Sequence, residues 1–180
     1  DCPPSKTNIA AMTGTAAHYI GEDILNQYDE RPTLTTTQWF KEYGSDTIPV
    51  EGDDGVFEAI PVTSDMLDNV QLYVDFVRDQ LTDNAELLVE QTVSLKPLYD
   101  EGDINRAVHA HFFDQFGTAD AIVITDDTLH VIDYKNGFIK VVLVNNTQLL
   151  FYLLGAIVKL YGIKNYASLI AILNRLDKNF

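Results

Sequence analysis

Three polar residues set into apolar segments carry the chemistry that this sequence can do. In Gly117-Thr118-Ala119-Asp120-Ala121-Ile122-Val123-Ile124 one acid interrupts an apolar run, and in Val131-Ile132-Asp133-Tyr134-Lys135 an acid and a lysine interrupt the next. Residues two apart on a strand share a face, so Asp133 and Lys135 are expected side by side. Asp126-Asp127 between the runs is a tight-turn signal, and the resulting hairpin can bring Asp120 beside Asp133. Two carboxylates at the end of buried strands repel each other and call for a cation. Oxygen donors favour Mg²⁺ or Mn²⁺. A lysine next to that cation can position an attacking water or offset charge on phosphorus. Either acid alone reads as a solvent-edge residue, but Asp followed across a turn by Asp-x-Lys is a much less ordinary combination.

Glu90, inside Leu88-Val89-Glu90-Gln91-Thr92-Val93, is a further acid in an apolar strand. It could face the same cation or line a solvent edge. His109 and His111 lack a third ligand nearby and read as surface or substrate-channel residues. The single cysteine, Cys2, allows no internal disulfide and no multi-cysteine metal site, so a cytoplasmic protein is expected. The chain opens at Asp1 rather than Met, as after processing or trimming, and its first residues lack the basic-then-apolar order of a signal peptide. No apolar run is long enough to span a bilayer, so no membrane partner is expected. The formal charge of −15 opposes a nucleic-acid role, because phosphate contact dominates such affinity. Positive charge would then have to come from a groove, from metal ions, or from an oligomer that pools lysines around a channel.

The elements that must position these residues follow from periodicity. Residues 1–180 read as one domain. A helix is expected over Gly14–Gln27, capped by Thr13 or Thr15, with Ala16, Ala17, Ile20, Ile24 and Leu25 at helical spacing. The stretch from Asp29 to Pro61 is polar and broken by prolines and glycines, with room for a short helix around Thr37–Tyr43. A second long helix follows, with Ser64 as its N-cap and an apolar face from Leu67 to Leu81. Leu87–Leu95, Thr118–Thr125, Thr128–Lys135 and Phe138–Val144 read as strands. Asn146–Tyr161 reads as a helix closed by Gly162, and Tyr166–Leu173 as a last buried strand. This order predicts an α/β or α+β fold, a central mixed sheet flanked by helices.

The set Asp120…Asp133-Tyr134-Lys135 resembles the PD-(D/E)XK nuclease core in its RecB-like branch, where Ile132-Asp133-Tyr134-Lys135 matches a frequent form. Gln148-Leu149-Leu150-Phe151-Tyr152 is similar to the branch's Gln-x-x-x-Tyr helix motif, and His18 in Gly14–Glu22 to its N-terminal histidine. Cys2-Pro3-Pro4-Ser5, Phe116–Asp120 and Asn146-Thr147-Gln148…Gly155-Ala156 further resemble a phage-associated family of that branch. The resemblance runs from about Cys2 to Tyr161. It departs at Ala119, where proline is frequent, and in lacking the four cysteines that hold an iron–sulfur cluster in some relatives. The chain also stops soon after the Gln-x-x-x-Tyr helix, leaving little room for a DNA-clamping domain.

The resemblance implies a restriction-endonuclease-like core. It implies that His18, Asp120, Asp133 and the Tyr134 carbonyl hold the metal, that Lys135 is the catalytic lysine, and that Gln148 and Tyr152 brace the site or touch the DNA backbone. Glu22, one turn after His18, can face the same site, as a second-metal ligand or to orient a water. The implied activity is Mg²⁺- or Mn²⁺-dependent DNA hydrolysis, as an exonuclease, in phage recombination, replication or repair. Such a chain works in the bacterial host cytoplasm, on DNA and beside other recombination or replication proteins. The competing expectation is a DNA-end or protein-binding module on a nuclease fold with little catalysis. A weaker one is a metal hydrolase acting on a non-nucleic substrate.

Overall fold

The computed structural model describes residues 9–98, 116–136, 146–165 and 168–170. Helix α1 spans Ile9–Asn26 and buries Met12, Ala16, Ala17, Ile20, Ile24 and Leu25 along one side. It starts earlier than its apolar repeat, through exposed Ala10 and Ala11, which favour helix without any burial signal. Thr13 and Thr15 are therefore not caps. Each lies inside the helix and donates its hydroxyl to the carbonyl four residues back, Ile9 and Ala11.

Helix α2 (Thr36–Tyr43) is fixed at both ends, by a capping box of Thr35 with Gln38 and by a left-handed Gly44 whose N–H donates to the Phe40 carbonyl. Strands β1 (Thr47–Glu51) and β2 (Phe57–Pro61) then form an antiparallel hairpin in the stretch expected to be irregular. Pro49 is harmless in a two-stranded ribbon, where half the N–H groups face outward. Ile48, Val50 and Ile60 bury the inner face. Helix α3 (Ser64–Arg78) is capped one residue earlier than expected, by the Thr63 hydroxyl accepting from the Met66 N–H.

Strands β3 (Glu86–Ser94), β4 (Phe116–Ile124) and β5 (Leu129–Ile132) form an antiparallel sheet in the order β3-β4-β5. All described strand pairings are antiparallel. Helix α4 (Thr147–Leu160) follows, with the Asn146 side chain accepting from the N–H groups of Gln148 and Leu149, and Gly162 stands just beyond it at φ +59°. The expected strand 138–144 and the pair His109/His111 lie outside the described residues. Within the expected last strand, residues 168–170 are helical.

Two apolar clusters explain the layering. One joins α1, α3 and the β1–β2 hairpin to Ala121 and Val123 of β4. The other joins Tyr152 and Ala156 of α4 to Val93, Ala119 and Ile122. The β3-β4-β5 sheet thus lies between α1 and α4, and the fold is α+β. No helix among the described residues is long and apolar enough to cross a membrane.

Candidate metal centre

Side-chain alternation on β3 and β4 reverses at one level of the sheet. On β3, Leu87 and Val89 face the α1 side, whereas Val93, at the same parity, packs on the α4 side. On β4, Ala119 faces α4, whereas Ala121 and Val123 face α1. The reversal falls at Glu90 and Asp120, which are opposed between the paired residues Val89↔Ala121 and Gln91↔Ala119. Glu90 has φ +50°, left-handed and unusual for a residue with a side chain. Two consecutive residues of each strand, Val89–Glu90 and Asp120–Ala121, therefore turn toward α1.

His18 meets them there. One ligand atom each from His18, Glu90 and Asp120 lie within 4.8 Å of one another. His18 Nδ1 is 3.3 Å from Asp120 Oδ1. The other oxygen of Asp120 accepts from the Tyr134 backbone N–H, which is consequently withdrawn from the strand ladder. Asp120 is one of two buried polar residues among those described.

Electrostatics set how tightly the group holds its protons. Burial pushes the Glu90 carboxyl above its ordinary range, and the negative charges of Asp120 and Glu22 add to the shift. Burial works against a charged His18, yet its hydrogen bond to Asp120 and the Asp120 charge outweigh that and hold its pKa above the ordinary value. These groups hold protons where a cation would relieve the same repulsion. Donors around Mg²⁺ or Mn²⁺ at about 2.1 Å lie within ~4.2 Å of one another, so at most a small contraction completes the set. The two carboxylates suit Mg²⁺ or Mn²⁺, and the imidazole adds one nitrogen donor to an otherwise oxygen set.

The cleft in front of this group has a volume of about 690 Å³ and is lined by His18, Tyr19, Glu22, Glu90, Asp120 and Lys135, among others. Asp133 and Lys135 lie just past the end of β5 rather than within it. Lys135 Nζ sits 2.9 Å from each carboxylate oxygen of Asp133, whose side chain is 8% exposed. The structure thus brings Asp120, His18, Glu90, Glu22 and Lys135 to one cleft. Asp133, expected as a ligand beside Asp120, is not in that group: it lies past the end of β5 and its carboxylate is turned onto Lys135. Tyr134 packs its ring against His18 and stacks on Tyr73. Its buried hydroxyl has no hydrogen-bond partner among the described residues, and burial pushes it up to about 12.

Gln148 and Tyr152 stand on the far side of the sheet. Gln148 Nε2 donates to the Tyr152 hydroxyl at 2.7 Å, and the Tyr152 ring occupies the space that a side chain at Gly117 would need. They brace β4 rather than line the cleft. Glu90 is the residue whose place among the ligand atoms was least legible: an acid in an apolar strand was the whole of its signal.

No solved structure matches the chain. A family model described as protein of unknown function (DUF2800) matches residues 2–172, and the chain belongs to that family.

Proposed function

We propose that this chain is a metal-dependent deoxyribonuclease with a PD-(D/E)XK-type, restriction-endonuclease-like core. The observation that carries the reading is the convergence of His18, Glu90 and Asp120 in one cleft with Lys135. An antiparallel three-stranded sheet with helices on both faces supports it.

A bound Mn²⁺ or Mg²⁺ supplies Lewis acidity toward a phosphodiester oxygen and a lowered pKa for water. The remaining roles belong to the chain. Asp120, held by the Tyr134 N–H, His18 and Glu90 present the donors. Lys135 brings the ammonium that orients the attacking water and offsets charge on the phosphoryl oxygens. Asp133 fixes that ammonium at 2.9 Å. Gln148 and Tyr152 hold α4 against β4. Exonucleolytic attack on DNA ends, in phage recombination, replication or repair in the host cytoplasm, is the fitting role. The one cysteine of these 180 residues, Cys2, does not offer the four-cysteine set of an iron–sulfur cluster.

The test is degradation of end-labelled linear and circular DNA with Mn²⁺ or Mg²⁺, comparing wild type with Lys135→Ala. Metal-dependent loss of linear DNA that the variant lacks supports an exonuclease, and cleavage of circles an endonuclease. Tight DNA binding by folded wild type without turnover would replace this reading with a DNA-end-binding module.

A further inference from the structure

Three aromatic rings cluster beside the cleft, which one of them, Tyr19, lines. Trp39 and Tyr43 stack with centroids 4.6 Å apart and planes 13° from parallel, and Tyr19 meets both edge-on at 6.4 Å. Trp39 is 3% exposed, whereas Tyr43 and Tyr19 are 38% and 42% exposed. The inner layer of the stack is closed and its outer layer is open. Tyr19 follows His18 directly and lines the same cleft, so the rings and the ligand group are contiguous.

We infer that the Trp39–Tyr43–Tyr19 stack is a platform for an unpaired base, and that single-stranded DNA is the substrate class of the cleft. This inference rests on the nuclease reading and names its substrate.

Polar contacts hold the inner ring and flank the outer one. The Trp39 indole N–H donates to Asp23 of α1. Arg31 grips Glu42 through two bonds of 2.7 Å, next to Tyr43. A surface that is already ordered loses little entropy on binding.

Charge selects the kind of strand. At −15 the chain gains little from displacing counterions, and Glu22 and Asp23 stand beside Tyr19. A duplex presents dense phosphate and keeps its bases stacked on one another. A single strand carries less charge per length and offers free π-faces, each worth about 1–3 kcal/mol on an aromatic platform. Stacking is the source of affinity that this surface provides.

The test uses a labelled oligothymidylate and a blunt duplex, with Ca²⁺ in place of Mn²⁺. Trp39 is the one tryptophan of the sequence, so its emission reports on the stack. The oligothymidylate should quench Trp39 and bind at least tenfold tighter than the duplex. Tyr43→Leu should lose about tenfold of that affinity, Tyr43→Phe should retain it, and metal-induced thermal stabilisation should be unchanged in both. Equal binding by Tyr43→Leu, absent quenching, or a preference for duplex overturns the inference. Cleavage assays with Mn²⁺ separate the two readings. Metal-dependent cleavage that ignores Tyr43→Leu leaves a nuclease without this platform. Quenching and single-strand binding without any cleavage leave the platform without a nuclease.

Discussion

Glu90 and Asp120 face each other across β3 and β4 at the one level where the strand register lacks a paired couple. Both carboxylates turn to the α1 side, and Glu90 adopts φ +50° to do so. A non-glycine residue held there costs on the order of 1–3 kcal/mol, and such strain persists where the surroundings demand it. The demand here is geometric: without the reversal the acids would point away from His18.

Replacing Glu90 by Gly removes the strain and a proposed ligand together. The metal-free variant should be more stable than wild type by about 1 kcal/mol, after the added flexibility of glycine in the unfolded chain is subtracted. Its stabilisation by Mn²⁺ should largely vanish. Denaturant titrations with chelator and with Mn²⁺ check both halves. A variant less stable without metal would show that the φ of Glu90 carries no strain.

Lys135→Ala should lose cleavage by about 10²-fold or more, the usual scale for one group that stabilises developing charge. Metal binding should be retained, because Lys135 is not among the His18, Glu90 and Asp120 donors. Loss of the Mn²⁺-induced thermal shift in this variant would mean that Lys135 supports the ligand set rather than the chemistry.

His18 and Glu90 both hold protons more tightly in the fold than in the unfolded chain. Without metal, folding therefore takes up protons, and stability falls as pH rises. The Glu90 contribution declines above its ordinary value of 4.5 and the His18 contribution above 6.5, each until the raised folded value is passed. Metal requires the deprotonated donors, so its stabilisation moves the other way. The gap between thermal midpoints with Mn²⁺ and with chelator should widen from about pH 5 to about pH 8, the range in which histidine changes charge. A gap independent of pH would remove these two residues from the ligand set.

Much of this was readable from residue types. The apolar repeats of α1, α3 and α4 gave the helices, and Asp126-Asp127 gave the β4–β5 turn. The β1–β2 hairpin was hidden by Pro49, Gly52, Gly55 and Pro61, which act as breakers in a central strand but fit a two-stranded ribbon. Its inward alternation of Ile48 and Val50 was the available signal. Within the site, Asp120 and Lys135 stood out as polar residues in apolar runs. Glu90 stood out as a candidate acid, but which way it faces was left open, because strand alternation assumes one face per parity and the reversal at Glu90 breaks that assumption. The end of β5 at Ile132 was hidden similarly, since the Tyr134 N–H goes to the Asp120 side chain instead of the ladder.

Gly117→Ala tests the bracing role of α4. The added methyl would overlap the Tyr152 ring, which must shift and loosen its bond to Gln148. A loss of about 1–3 kcal/mol in stability is expected, as for other overpacked positions. Cleavage should fall along with it, because β4 carries Asp120. Unchanged stability would show that α4 yields without strain and that Tyr152 is ordinary packing.

The candidate donors His18, Glu90 and Asp120 come from α1, β3 and β4, far apart along the chain. A cation seated among them would act as a removable cross-link that closes two long loops at once. It would favour the native state over an unfolded chain in which the three donors are scattered. It would also rivet α1 to the sheet, so that α1 could no longer open independently of the rest. Opening of α1 would then be coupled to unfolding of the sheet more tightly in the loaded protein than in the metal-free one.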